Sequence, residues 1–305
     1  DRQSLVRLMV FANEFEIKAL IASAAGTRGE LKQAITRPEL IREIINAYDK
    51  VRPNLERHAT GWPLGKELLR CVKSGNPQRG RTHIGEGHET EGSRFLLEQM
   101  KAATPQSPLN IAIWGGQTDL AQALWQVKND IGDDGFRDFA KKFRVFDISD
   151  QDGIAEWMRR EFPGMNYILS KAPPKSGGRE DTIRGMYLTG DEALTSREWM
   201  QKNIIGTGPL GALYPLRTNN APNPHGCMKE GDTPSWLFFL PLGGNDPNDQ
   251  SKPGWGGQCQ RQSDGWHLDL PSREGFDRRL TLSKWRPDFQ REFARRMAWC
   301  QADQP

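Results

Sequence analysis

The segment LNIAIWGGQTDLAQALW, Leu109–Trp125, decides the reading of this chain. Leu109 to Trp114 form a short, mostly apolar run, which predicts a strand buried on both faces. Gly115 and Gly116 then break the run. From Thr118 onward, Leu120, Ala121, Leu124 and Trp125 recur with the spacing of one helical face. Strand, glycine turn and helix in that order make the α/β unit whose loop, at the carboxyl end of the strand, usually carries the ligand. The two glycines let backbone approach a bound group closely, and Thr118 offers a hydroxyl and a carbonyl there. The same pair also suits a plain tight turn between strand and helix.

Working outward, helix is predicted over Ser4–Ala12 and strand over Glu16–Ala24, the latter ending in Gly26-Thr27-Arg28-Gly29. Pro38–Tyr48 is an amphipathic helix with proline at its start and Leu40, Ile41, Ile44, Ile45 and Tyr48 on one face. A polar, glycine-rich stretch over Asn76–Gly92 leads to a helix at Phe95–Met100. Beyond the central unit come a strand at Phe143–Ile148, a helix at Ile154–Phe162 and a strand at Tyr167–Ser170. This alternation is the pattern of a Rossmann-like α/β fold, a mostly parallel sheet with helices on both faces. After Lys171 the pattern loosens into a loop-rich C-terminal third. A loop is expected over Ala172–Thr182, a helix over Ser196–Ile205, loop again over Gly243–Ser263, and a final helix over Pro287–Trp299.

The 305 residues are enough for one large α/β domain, and the reading takes 1–305 as a single domain. Mean hydropathy is −0.71, yet the apolar residues are clustered, which is unlike a disordered chain. Net charge is only +3 and no basic block resembles a nucleic-acid arm, so no nucleic-acid partner is expected. No apolar run reaches the length of a membrane span. Cys71, Cys227, Cys259 and Cys300 form no CxxC, which leaves no zinc spacing; Cys227 and Cys259 could pair in an exported protein.

Carboxylates suggest a hard cation, which takes oxygen ligands from loops far apart in sequence. Asp1 at a helix start, the Thr118 carbonyl and Asp232 in EGDTPSW are the candidates, with helix capping as the alternative for both aspartates. The loop IGEGHETEGS, Ile84–Ser93, offers Glu86, Glu89, Glu91 and the titratable His88. There is no G-x-S-x-G elbow, no P-loop and no HExxH. Of ten tryptophans, Trp114, Trp236, Trp255 and Trp266 are placed to stack on a sugar or base, or simply to pack.

The blocks DRQSLVRLMVFANEFEIKALIASAAG, IGEGHETEGS, IWGGQTDLAQALW, FDISDQD, GPLGALYP, EGDTPSWLFFLP, WGG and WRPDFQREFARRMAWC together resemble the nucleoside hydrolase-like domain of the bacterial and fungal cellulose-binding protein family. The resemblance implies a nucleoside hydrolase-like fold with Ca²⁺ at the carboxyl edge of the sheet. It implies Asp1, Thr118 and Asp232 as metal ligands: Asp1 as the last member of an N-terminal aspartate cluster, Thr118 through its carbonyl, and Asp232 as a late ligand preceded here by Gly231. The rest of that cluster, including the base and the strand bearing it, would lie upstream of Asp1, so the catalytic residue is unassigned. The family's C-terminal β-sandwich domain has no counterpart here.

Two functions follow as expectations. One is a calcium-dependent hydrolase of glycosyl bonds, in a nucleoside or a related N- or O-glycoside, using a metal-bound water. The other is a non-catalytic carbohydrate-binding protein that reuses the pocket for cellulose. Substrate contacts are expected at Asn13, Thr27, Glu86, Trp114, Asp119 and Trp236. The partner is thus a small glycoside or carbohydrate, oligomerisation is left open, and the family's usual export implies a secreted or periplasmic location.

Overall fold

A computed structural model describes residues 1–24, 34–173, 180–216 and 227–302. Helix α1 spans Arg2–Met9, and the chain then passes through a short 3-10 turn to strand β1, Leu20–Ala22. Helices α2, Pro38–Leu55, and α3, Gly65–Arg70, lead to β2, Val72–Ser74. Then come α4, Glu91–Ala102, β3, Leu109–Ile113, and α5, Gln117–Phe139, which is broken at Gly132. Strand β4, Phe143–Ile148, α6, Ala155–Glu161, and β5, Asn166–Ser170, complete the alternating region. The remainder holds the short helices α7, Arg197–Met200, and α8, Thr233–Leu237, the strands β6, Cys259–Arg261, and β7, His267–Asp269, and finally α9, Leu280–Ser283, and α10, Arg286–Ala298.

The strands form a mostly parallel α/β arrangement in two parts. β1 pairs with β2 alone, in parallel. The other five run in the order β3-β4-β5-β7-β6, parallel except for the β6–β7 pair. The central strand β4 shows why both faces need covering. Val145 packs with Leu97, Leu120, Leu124 and Met158 of α4, α5 and α6. Its neighbours Phe146 and Ile148 pack on the opposite face against Phe238 and Phe239, as the two-residue repeat of a strand requires. A separate apolar cluster joins α1, α2 and α10 through Leu5, Leu8, Ile44, Ile45, Phe289 and Phe293.

The strand expected at 16–24 is confined to three residues, and β2, β6 and β7 were not legible in the sequence. Three residues are too few to display a period. β6 falls inside the 243–263 stretch expected to be loop. Contrary to the burial predicted for it on both faces, β3 leaves Asn110 and Ala112 exposed, because it has a strand neighbour on one side only. Cys227 and Cys259 do not pair; all four cysteines are free thiols.

Candidate site at the carboxyl edge of the sheet

A cavity of about 1220 Å³ runs between β1 and β3 and opens at their carboxyl ends. Its mouth holds Asp1, Trp114, Gly115, Gly116, Asp119, Asp232 and Trp236, with Ser149, Gln151 and Arg184 beside them.

Local structure explains why each group is there. Gly115 and Gly116 have φ of +107° and +92°, values that L side chains rarely adopt. Gly116 also lies so close to Ser23 that a methyl group would overlap the serine hydroxyl. Asp119 follows in the first turn of α5, where both of its oxygens are occupied. Oδ2 accepts from Ser23 Oγ at 2.8 Å; Oδ1 accepts from the Asn76 amide at 2.7 Å and Thr90 Oγ at 3.2 Å. Burial lifts this carboxyl to about 6, against the opposing effect of those three hydrogen bonds. Asp119 therefore clamps the ends of β1 and β2 onto α5.

Asp1 caps α1, its Oδ1 accepting from the Ser4 amide at 3.1 Å. Asp232 stands at the N-cap position of α8, yet its side chain makes no capping bond. Instead the carboxylate faces the mouth, with Oδ2 3.9 Å from the backbone nitrogen of Asp1. Burial pushes the Asp232 carboxyl up to about 6, while nearby positive charge works to lower it.

The turn that delivers Asp232 is built on a buried ion pair. Glu230 has φ of +43° and a fully buried carboxylate. That carboxylate receives Arg7 Nε at 2.5 Å, Arg7 Nη2 at 3.0 Å, the Tyr214 hydroxyl at 2.6 Å and Thr233 Oγ at 3.0 Å. Arg7 also donates to Gln290 at 2.6 Å, which ties α1 to α10. Trp114 Nε1 donates to Ser235 Oγ at 2.7 Å, joining the end of β3 to α8. Trp236 packs on Phe11 and Phe15, and its Nε1 has no hydrogen-bond partner among the described residues.

The mouth thus brings together Asp1, Trp114, Asp119, Asp232 and Trp236 of the residues expected from sequence. Three others lie elsewhere. Thr118 is in the second position of α5, so its carbonyl points along the helix; its amide and hydroxyl both donate to Asp152, at 2.8 and 2.7 Å. Asn13 accepts from Arg296 at 2.7 Å and lines a smaller, separate cavity with Gly61 and Leu68. Glu86 is exposed on its loop, away from the mouth. Thr27 lies outside the described residues. Sequence reasoning missed Arg7 and Glu230, since nothing in the spacing of a lone arginine or glutamate reveals a partner more than two hundred residues away; it also missed Arg184, which belongs to no motif. Among the described residues, no group of three or more His, Cys, Asp or Glu gathers as a metal centre.

The family model described as cellulose-binding Sde182, nucleoside hydrolase-like domain, matches residues 1–259. The chain belongs to that family. One solved structure is similar over the whole chain and over 69% of its own length, with a TM-score of 0.75 and 26% identity. It is described as a nucleoside hydrolase-related hypothetical protein from Saccharophagus degradans that is associated with carbohydrate metabolism. A search of curated proteins finds no match. In this nucleoside hydrolase-like domain, the mouth lies where open parallel sheets generally bind ligands, outside the carboxyl ends of the strands.

Proposed function

We propose that the chain binds a carbohydrate at this mouth, with a divalent cation held by Asp1 and Asp232. The observation that carries the reading is the convergence of two carboxylates and a half-buried indole at one opening: Asp1 and Asp232 beside Trp114, with Trp236 buried beneath them in the core. The Trp114 indole offers a flat apolar face that a sugar ring can cover, and carboxylates suit the hydroxyl edge or an oxygen-coordinating cation. Both the family description and the similar structure point to carbohydrate.

The donor set fits calcium in part. Asp232 directs a carboxylate that accepts no hydrogen bond among the described residues into a mostly buried opening, and Asp1 keeps its second oxygen out of the capping bond. Thr118 is not available as the third ligand. Calcium takes six to eight oxygens, so solvent and sugar hydroxyls would complete the shell. Bound there, it would supply a local positive charge for a vicinal diol. Asp1 and Asp232 orient that edge of the sugar, while Trp114 excludes water from its face.

Hydrolysis of a glycosyl bond is the finer reading of the same site. It needs a group to take a proton from the attacking water. Asp119 is unsuited to that task, because both of its oxygens hold the ends of β1, β2 and α4 in place. Retention on insoluble cellulose, and release of reducing sugar or free base, should be measured with calcium and with EDTA. Retention without turnover supports binding; EDTA-sensitive release supports hydrolysis; neither would overturn the carbohydrate reading.

A further inference from the structure

Ser149 follows the last residue of β4 and lines the mouth, half-buried. Its φ is +67° and that of Asp150 is +48°, two consecutive left-handed residues, neither of them glycine. Such backbone costs free energy and persists only where the surroundings over-determine it. Here they do. The Ser149 amide donates to the Ser170 carbonyl of β5 at 2.9 Å, and Gln151 Nε2 donates to the Ile148 carbonyl at 3.2 Å. Asp150 accepts from the Ala155 amide at 2.9 Å and from Lys171 Nζ at 2.6 Å. Those bonds account for Asp150. They do not account for a residue other than glycine at 149, where glycine would take this φ without strain. What serine adds there is a hydroxyl.

That hydroxyl has one fixed partner, since Ser149 Oγ donates to Asp181 Oδ2 at 2.9 Å. Asp181 is only 2% exposed, and its other oxygen accepts from the Ala172 amide, so both carboxylate oxygens are engaged. The next residue, Thr182, anchors the same segment through its amide, which donates to Asp269 Oδ2 at 2.9 Å at the end of β7. A hydroxyl has one proton and two lone pairs. With its proton committed to a buried carboxylate, Ser149 turns lone pairs toward the mouth. From this geometry we infer that Ser149 Oγ accepts a hydrogen bond from a hydroxyl of the bound sugar, and that Asp181 is the positioning residue that holds it as an acceptor. The inference rests on the carbohydrate reading of the mouth and adds a contact on the wall formed by the loop after β4. It also sets a chemical requirement. The sugar must present a hydroxyl proton at that wall, because a ring without one leaves the Ser149 lone pairs unmatched.

Asp181→Asn tests the polarity of this arrangement. The Ala172 amide can only donate, so the asparagine oxygen faces it and Nδ2 faces Ser149. Both hydrogen bonds survive, but Ser149 now receives one and its own proton turns toward the mouth. Calorimetric titration of cellohexaose with calcium compares the unaltered chain with Ser149→Ala, Asp181→Asn and the double variant, each at a temperature where circular dichroism shows it folded. Each single variant is expected to weaken binding by about fivefold or more. Asp181→Asn should do so with its urea midpoint kept, whereas a Ser149–Asp181 bond that served the fold alone would leave binding untouched. The double variant should bind no more weakly than Ser149→Ala, because Asp181 acts through Ser149. A further loss in the double variant, by the full factor of Asp181→Asn, would overturn the positioning role. Binding by both single variants equal to that of the unaltered chain would overturn the inference and leave the carbohydrate reading standing. No binding by the unaltered chain would overturn both.

Discussion

Asp232 Oδ2 lies 3.9 Å from the backbone nitrogen of Asp1, although 231 positions separate the two residues in sequence. Asp1 begins α1 and Asp232 begins α8, so this contact is made by two helix starts converging on one opening. A cation held there competes with protons for the Asp232 carboxylate, which burial has raised to about 6. Calcium affinity is therefore expected to fall as pH drops through about 6, with a proton released on binding below that value. Asp232→Asn should abolish both the binding and its pH dependence. Calorimetric titrations at several pH values in buffers of different ionisation enthalpy check this.

Arg7→Met is expected to destabilise the domain by about 3–5 kcal/mol. It leaves the Glu230 carboxylate fully buried without its main counter-charge. Urea denaturation measures the cost. Because Glu230 holds the turn that carries Asp232, cation binding should weaken in the same variant, at temperatures where it remains folded.

Asp119 contributes in a pH-dependent way. Its carboxyl is raised from 3.8 to about 6, so the folded chain holds the proton more tightly than the unfolded one. The sign follows: its stabilising contribution is greatest below the unfolded value and is lost as pH rises through the window from about 4 to 6. Asp119→Asn removes this dependence. The stability difference between the two proteins should shift by about 2–3 kcal/mol in favour of the variant between pH 4 and pH 7. A constant difference across that range would contradict the burial of an ionisable group there.

Much of the architecture was legible because it depends on local pattern. β4 was read from its apolar run at its observed bounds, Phe143–Ile148, and Pro38 marked the start of α2. The strand–glycine–helix unit at Leu109–Trp125 was legible for the same reason. What sequence could not give was edge pairing. β3 reads as a strand buried on both faces because its residues are suited to such a place, whereas Asn110 and Ala112 line an open gap. The site was legible where a residue sits at an element's end, as with Asp1, Trp114 and Asp232. It was not legible where hydrogen bonding decided the matter. Thr118 spends its hydroxyl on Asp152, and Asn13 is held by Arg296 on the far side of the chain.

Calorimetric titration of cellohexaose into the chain, into Trp114→Ala and into Asp232→Asn, with calcium and then with EDTA, is the most direct test of a carbohydrate site at this mouth. Saturable binding is expected for the unaltered chain with calcium. Each variant, and EDTA, should weaken it by about tenfold or more, close to 1.4 kcal/mol. Binding of equal strength in all three proteins would place the sugar elsewhere, and no binding by any of them would contradict a carbohydrate ligand at this opening.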